Sequence, residues 1–367
     1  MNYIISDLGY GDSCKGATVD YLCSTEQIDL VVRYNGGFQA AHNVVLADGR
    51  HHCFSQFGSG TLRKVPTFLD RHVIVEPMSL RAEARHLSSL GVADPMGLLT
   101  IHPDCLVSTM YHQVLNRIQD KRSGHGSCGV GIGATRSMWA KTGDGLTWAD
   151  LHSKRIIRRK LDWIRQWCQD QLVDYYNPGS TRSDINIDVD GCVVNAFNEA
   201  ELMYNSAYGV MISESMGVNR NASVVFEGAQ GYGLDEVFGT IPHTTYSNTR
   251  PTYAVELCEY YLDSRPKIYG LMRAYETRHG NGPMWEEYPN RLRIHGEHNQ
   301  GGFAGNFRVG RLNKIAMHEA FSHCNCDAMV INCMDHVSAD LQGQLIEEFN
   351  PEIVSYGPRA EDRKRLR

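Results

Sequence analysis

The sequence predicts an α/β fold: a large, mostly parallel central sheet with flanking helices and smaller inserted lobes. Three observations carry this. Residues 2–34 run strand, glycine loop, helix, strand, which is how parallel α/β folds open. The strand-then-glycine pattern returns at residues 223–231. Two further apolar runs, 267–275 and 328–335, read as strands, the second ending in polar groups.

Each element has a local reason. Asn2-Tyr3-Ile4-Ile5-Ser6-Asp7-Leu8 is short and β-prone, and Gly9-Tyr10-Gly11-Asp12-Ser13-Cys14-Lys15-Gly16 breaks it into a tight loop. Residues 17–23 favour helix and 28–34 favour strand. Residues 44–53 read as a hairpin turning at Asp48-Gly49. Residues 72–75 read as a short strand, and 78–90 as a helix stopped by Gly91. Seven glycines between 121 and 147 predict a mobile or ligand-contacting loop rather than a helix. Residues 152–175 show helical periodicity, with Trp163, Ile164 and Trp167 near one packing face. No repeat or low-complexity linker divides the chain, so residues 1–367 read as one domain.

Composition excludes several classes. Apolar residues at 42% and charged residues at 21% are globular values and argue against global disorder. With 36 basic and 42 acidic residues the net charge is −6, which argues against a body built to coat nucleic acid. No apolar run approaches the roughly 20 residues of a membrane helix, and residues 2–8 are too short for a signal peptide. Eleven cysteines, an odd number in a long chain, read as reduced thiols of a cytoplasmic protein.

The chemistry-bearing residues cluster early. Gly9, Gly11 and Gly16 around Lys15 make either a phosphate cradle or a simple tight turn; Cys14 before Lys15 departs from the G-x-x-x-x-G-K-[ST] loop. Asp12 inside such a loop would repel phosphate unless it binds a metal or takes a proton from substrate. In Asn35-Gly36-Gly37-Phe38-Gln39-Ala40-Ala41-His42, the glycines allow close backbone approach. His42 there is either an acid or electrophile near a phosphoryl group or, as a lone histidine more often is, structural. The other histidines form no zinc spacing, Cys324-Asn325-Cys326 is too tight for a metal knuckle, and no G-x-S-x-G elbow occurs.

These segments resemble the adenylosuccinate synthetase family. Residues 11–16 resemble its G-D-E-G-K-G, and 33–42 its R-Y-Q-G-G-x-N-A-G-H. His125-Gly126-Ser127-Cys128-Gly129-Val130-Gly131-Ile132-Gly133 resembles I-G-T-T-G-R-G-I-G, and Phe226-Glu227-Gly228-Ala229-Gln230-Gly231 matches F-E-G-A-Q-G. Residues 239–249, 274–283 and 356–358 follow in the family order. The resemblance implies a ligase in which a triphosphate phosphorylates O6 of a 6-oxopurine nucleotide and L-aspartate then displaces phosphate at C6. It implies Asp12, Lys15 and His42 as catalytic residues, and Mg²⁺ held by Asp12 and the carbonyl of Ala41. It places Gln39, Ser127, Cys128, Gln230 and Thr245 on the substrate nucleotide, and Gly11, Lys15, Gly16, Asp335 and Gly357 on the triphosphate. It also implies a homodimer, in which Lys141 stands near the position of a cross-subunit arginine.

Departures from the family pattern select the substrate. Ser13 replaces a glutamate and leaves room for a purine 2-amino group. The aspartate-binding run T-T-G-R-R-R-R-T-G becomes Phe303-Ala304-Gly305-Asn306-Phe307-Arg308-Val309-Gly310-Arg311. Gly305 and Arg308 remain for aspartate, with Arg311 as a compensating cation, and Asn306 suits a 2'-deoxynucleotide. T-K-L-D becomes Asn332-Cys333-Met334-Asp335, and the chain is shortened between Asp335 and Gly357, which favours ATP or dATP over GTP. The expected function is that of the phage-type N6-succino-2-amino-2'-deoxyadenylate synthase branch, acting on dGMP, in the host cytoplasm if of phage origin. The alternatives are an ordinary synthetase using IMP and GTP, and a non-catalytic nucleotide-binding relative.

Overall fold

The computed structural model describes residues 1–123, 126–176, 196–288 and 305–367. Gly124 and His125, and Phe303 and Ala304 of the arginine segment, lie outside the described residues. In chain order the first part runs β1 (Tyr3–Asp7), α1 (Lys15–Thr25), β2 (Leu30–Arg33), β3 (His42–Val45), β4 (His51–Phe54), β5 (Thr67–Leu69), α2 (Pro77–Ser89) and β6 (Leu99–Ile101). Helices α3 (Met110–Ser123), α4 (Ile132–Thr142), α5 (Lys154–Tyr176) and α6 (Ala196–Ala207) follow, then β7 (Met211–Ile212). The last part is β8 (Val224–Glu227), α7 (Thr252–Tyr261), β9 (Lys267–Arg273), β10 (Glu276–His279), β11 (Phe307–Gly310), α8 (Lys314–His323), β12 (Ala328–Asn332), α9 (Ala339–Phe349), β13 (Ile353–Ser355) and β14 (Arg363–Arg365).

One ten-stranded sheet takes the order β14-β13-β12-β9-β1-β8-β2-β5-β6-β7. Its pairings are parallel except β13 with β14. Parallel strands need crossovers that cover both faces, so the central strands are apolar throughout. Tyr3, Ile5, Val31, Val225 and Leu271 pack with Val19 and Leu22 of α1. Ile4, Val32, Phe226 and Ile268 point the other way, onto Ala254 and Cys258 of α7. Helices α8 and α9 cover the β12–β13 end through Met317, Ala320, Leu345 and Phe349. Helices α2 to α6 form a lobe with the β5–β6 edge, around the buried Trp148.

Two sequence expectations are corrected. Residues 72–75 make only isolated bridges, Gly37 to Ile74 and Val75 to Val107; the strand is β5, just before them. Residues 121–147 contain a helix, α4. The glycines bracket it: Gly131 caps its start at φ 85° and Gly143 its end at φ 68°, where the left-handed backbone favours glycine, and only Gly133 lies inside. The other expected elements stand. The hairpin is β3–β4, paired Val45 to His51 across Asp48-Gly49. α2 begins where Glu76 accepts from the amides of Met78 (3.0 Å) and Ser79 (2.7 Å), with Pro77 in the first turn. In α5 the buried stripe is Ile157, Leu161, Ile164, Cys168 and Leu172, with Trp163 and Trp167 beside it. The ten described cysteines are free. Among the described residues no helix is long and apolar enough to cross a membrane.

Candidate active site

Ligand sites in open parallel sheets lie beyond the carboxyl ends of the strands. Here those ends carry Asp7 (β1), Arg33 (β2), Glu227 (β8), Arg273 (β9) and Asn332 (β12), all buried. Asp7, Arg273 and Asn332 hold the glycine loop from beneath. Asp7 Oδ1 accepts from the Gly9 amide and the Ser13 hydroxyl, each at 3.0 Å. Its Oδ2 accepts from the Ser13 amide at 3.0 Å and from Lys15 Nζ at 2.8 Å. Arg273 Nε donates to the Asp12 carbonyl, and Asn332 Nδ2 to the Ser13 carbonyl at 2.9 Å. Arg278 lies over the Tyr10 ring at 4.2 Å, tying β10 to the same loop.

This scaffold forces an unusual backbone. Gly11, Asp12 and Cys14 take φ values of 96°, 61° and 61°. The turn puts Lys15 at the start of α1, 4% exposed, while Asp12 stays partly open to solvent. Asp12 Oδ2 lies 3.3 Å from Nε2 of His279.

His42 opens β3 beside the start of α1. A Cβ on Gly16 would sit 2.8 Å from His42 Cβ and 2.9 Å from Ser59 Oγ, so only glycine admits this approach. His42 Nδ1 contacts Glu227 Oε1 at 2.6 Å, and the Ser59 amide donates to Glu227 Oε2 at 2.9 Å. Burial pushes the His42 pKa down to about 4; Glu227 opposes this, and Arg33 adds to it. Burial raises the Glu227 carboxyl, but His42, Arg33 and Ser59 outweigh it and hold the group near 2. The resting pair is therefore neutral imidazole and carboxylate. With Nδ1–H donated to Glu227, Nε2 is the nitrogen left to meet a ligand.

The loops following β2 and β8 meet at this edge. A Cβ on Gly36 would lie 2.5 Å from Ala229 Cβ, and one on Gly11 3.8 Å from Gln230 Cα. Oε1 of Gln39 and Oε1 of Gln230 are both buried without a hydrogen-bond partner. Both are acceptors that the protein itself leaves open beside the Gly11 and Gly36-Gly37 turns.

The remaining expected residues are more dispersed. Ser127 is occupied by Asp120 and Asn116, Cys128 is exposed, and Thr245 is half-buried with its amide on the Leu234 carbonyl at 2.7 Å. Ala41 is exposed next to His42. Asp335 and Gly357 follow β12 and β13, and Asp335 Oδ2 lies 3.5 Å from His336 Nε2. The β10–β11 hairpin carries the arginine segment, pairing His279 with Phe307 and Arg278 with Arg308. Gly305 has φ 74° and Asn306 is exposed. Arg308 is held by Glu287 at 2.6 Å and by the Gly280 and Gly282 carbonyls; Arg311 is held by Glu286 at 3.2 Å. Lys141 is turned onto its own α5, donating to Gln171 at 2.9 Å.

Sequence reasoning missed Asp7, Ser59, Arg273 and Asn332 as site builders. Glu227 and His279 were visible in their motifs without a role. The usable signal was position: Asp7, Arg273, Glu227 and Asn332 all end apolar strands.

A buried lysine–aspartate pair beneath a glycine loop, a histidine–glutamate pair beside it and orphaned amides at the sheet edge define an enzyme site for a phosphorylated ligand. The adenylosuccinate synthetase family model matches residues 4–342. The adenylosuccinate synthetase of Clostridium novyi (strain NT) is 28% identical, over 97% of this chain and 83% of that protein. That of Shewanella frigidimarina (strain NCIMB 400) is 31% identical, over 87% and 73%. The solved structure of fully ligated adenylosuccinate synthetase from Plasmodium falciparum shares the fold with a TM-score of 0.82 at 18% identity, over 100% of both chains. Cyanophage S-2L succinoaminodeoxyadenylate synthetase (PurZ), solved with dGMP and with dATP as an energy donor, gives 0.62 at 16%, over 99% and 94%.

The chain belongs to the adenylosuccinate synthetase family. It is a triphosphate-dependent, C–N-bond-forming ligase that joins aspartate to a purine nucleotide.

Proposed function

We propose that this ligase takes dGMP, L-aspartate and ATP or dATP to 2-amino-2'-deoxy-N6-succinyladenylate, as in the phage-type branch. The observation that carries this reading is Ser13. The residue is 4% exposed and its hydroxyl is turned down onto Asp7, so the position that is glutamate in the family motif adds no carboxylate to the purine edge. A 2-amino group then meets neither charge nor bulk there. Exposed Asn306 in place of an arginine fits a sugar without its 2'-hydroxyl.

Asp12 takes the N1 proton, which makes O6 the nucleophile toward the γ-phosphorus of the triphosphate. Lys15, fixed by Asp7, meets the growing phosphate charge. His42 starts neutral. The arriving dianion favours protonation at Nε2, and the imidazolium then bridges Glu227 and the transferred group. The amine of aspartate attacks C6 and phosphate leaves. Gln39 and Gln230 supply their unpartnered oxygens to the substrate nucleotide, with Ser127, Cys128 and Thr245 at its phosphate end. Gly305, Arg308 and Arg311 receive the aspartate carboxylates once the arginines exchange Glu287 and Glu286 for them. Gly11, Gly16, Asp335 and Gly357 line the triphosphate side.

The residues present fit Mg²⁺. Asp12 offers an accessible carboxylate and Ala41 a carbonyl, both hard oxygen donors. Among the described residues there is no group of three or more His, Cys, Asp or Glu that could hold a metal ion. When bound, the ion neutralises the transferring phosphoryl group.

The alternative, IMP with GTP, draws support from the names of the two curated relatives. Phosphate release is measured with dGMP or IMP, each with ATP, dATP or GTP, in the presence of aspartate and Mg²⁺. Faster turnover of dGMP with an adenine triphosphate is expected; faster turnover of IMP sinks the Ser13 argument.

A further inference from the structure

Two cysteines depart from the family motifs together. Cys14 stands where the phosphate loop has glycine, and Cys333 where T-K-L-D has lysine. Both hold left-handed backbone, at φ 61° and 59°. Their sulfurs lie 3.8 Å apart although 319 residues separate them. The contact is held in register by the preceding residue on each segment, since Asn332 Nδ2 donates to the Ser13 carbonyl at 2.9 Å. Both thiols are half-buried, whereas Cys105, Cys168, Cys258 and Cys324 are packed into the interior.

We propose that Cys14 and Cys333 are a reversible modification site, oxidised by a low-molecular-weight disulfide to a bond that straps the phosphate loop to the end of β12. One protein thiolate attacks a sulfur of the small disulfide, forming one S–S bond, breaking another and releasing a small thiolate. The second protein thiolate attacks the protein sulfur of that mixed disulfide, forming the Cys14–Cys333 bond and expelling the second small thiolate. The two thiol protons end on the two released thiols: two protein thiols are oxidised and one small disulfide is reduced.

The sulfurs must close by roughly 1.7 Å to reach disulfide length. Asp12 and Lys15 flank Cys14, and Asp335 follows Cys333, so the strap draws together both walls of the triphosphate site. Misplacing positioned groups by an ångström or more costs on the order of 10²-fold in rate. This consequence, unlike the bond itself, rests on the ligase roles proposed above.

The full chain is equilibrated in glutathione buffers of rising oxidised fraction, then alkylated and digested without reductant for mass spectrometry. The expected product is one cross-linked peptide pair joining Cys14 to Cys333. It is removed by dithiothreitol and absent from the Cys14→Ser and Cys333→Ser chains. Phosphate release by the oxidised wild-type chain falls about 10²-fold relative to the same sample after reductant, while oxidant leaves the Cys333→Ser rate where it was. The proposed site is overturned if both thiols stay alkylatable in fully oxidised glutathione; if the bond forms and the rate holds, the site stands and the strap's effect on the triphosphate site is overturned. The cross-link is read without turnover, so a chain that forms it but ligates no nucleotide counts against the proposed function and supports the site.

Discussion

Replacing Asp7 by Asn tests the scaffold under the phosphate loop. Asp7 is 1% exposed and receives four donors: two backbone amides, a hydroxyl and the Lys15 ammonium. An asparagine keeps the shape, loses the charge and turns one acceptor into a donor aimed at Ser13 N and Lys15 Nζ. Lys15, 4% exposed, then carries a buried charge with no counter-ion. Removing one partner of a buried ion pair costs about 3–5 kcal/mol, and a stranded buried donor about 1–3 kcal/mol; relaxation of the loop makes the lower half of the combined range the expectation. Lys15→Met should cost less, because Asp7 keeps three donors, yet it should stop turnover. Urea unfolding of both variants, read as midpoint shifts at constant slope, gives the comparison, and phosphate release gives the activity. A loss under about 1 kcal/mol for Asp7→Asn, or a larger loss for Lys15→Met, would refute the claim that Asp7 organises the loop through a buried charge.

Asp12→Asn should lower phosphate release on the order of 10²–10⁴-fold with the melting temperature nearly unchanged, since the side chain is partly exposed and asparagine tolerates the left-handed backbone; near-normal turnover would remove its role as base. Gly16→Ala places a Cβ 2.8 Å from His42 Cβ and should cost about 1–3 kcal/mol while lowering kcat more than it raises KM. Equal stability and kcat would show that α1 and β3 can part freely. For pH, the folded His42 pKa of about 4 lies below its ordinary 6.5, so the unfolded chain binds the extra proton between these values and stability falls as pH drops through that window. The loss is about 3 kcal/mol by pH 4. Glu227, held near 2, adds a further loss below its ordinary 4.5. Subtracting the urea midpoints of His42→Gln from wild type across pH 7 to 4 isolates the first effect, and a flat difference would contradict a buried neutral imidazole.

The sequence alone settled a good deal. Alternating and continuous apolar runs marked β1, β2, β8, β9 and β12, because strands buried on both faces must be apolar wherever they lie. Gly11, Asp12, Lys15, Gly36 and His42 stood out as candidates because loop, charge and spacing are local properties. The order of the motifs placed the chain in its family. Helix α4 was hidden because glycine density over a long window does not say whether the glycines lie inside a helix or cap its two ends.

Tertiary structure decided which groups share an environment. Asp7, Arg273 and Asn332 come from distant parts of the chain, and only the register of β1, β9 and β12 brings them under one loop. Glu227 becomes the partner of His42 because β8 lies beside β2 and the β3 hairpin folds back over α1. Cys14 and Cys333 touch for the same reason. Local sequence fixes what a side chain can do, whereas burial, counter-charges and unpartnered atoms are set by neighbours that long-range strand pairing selects.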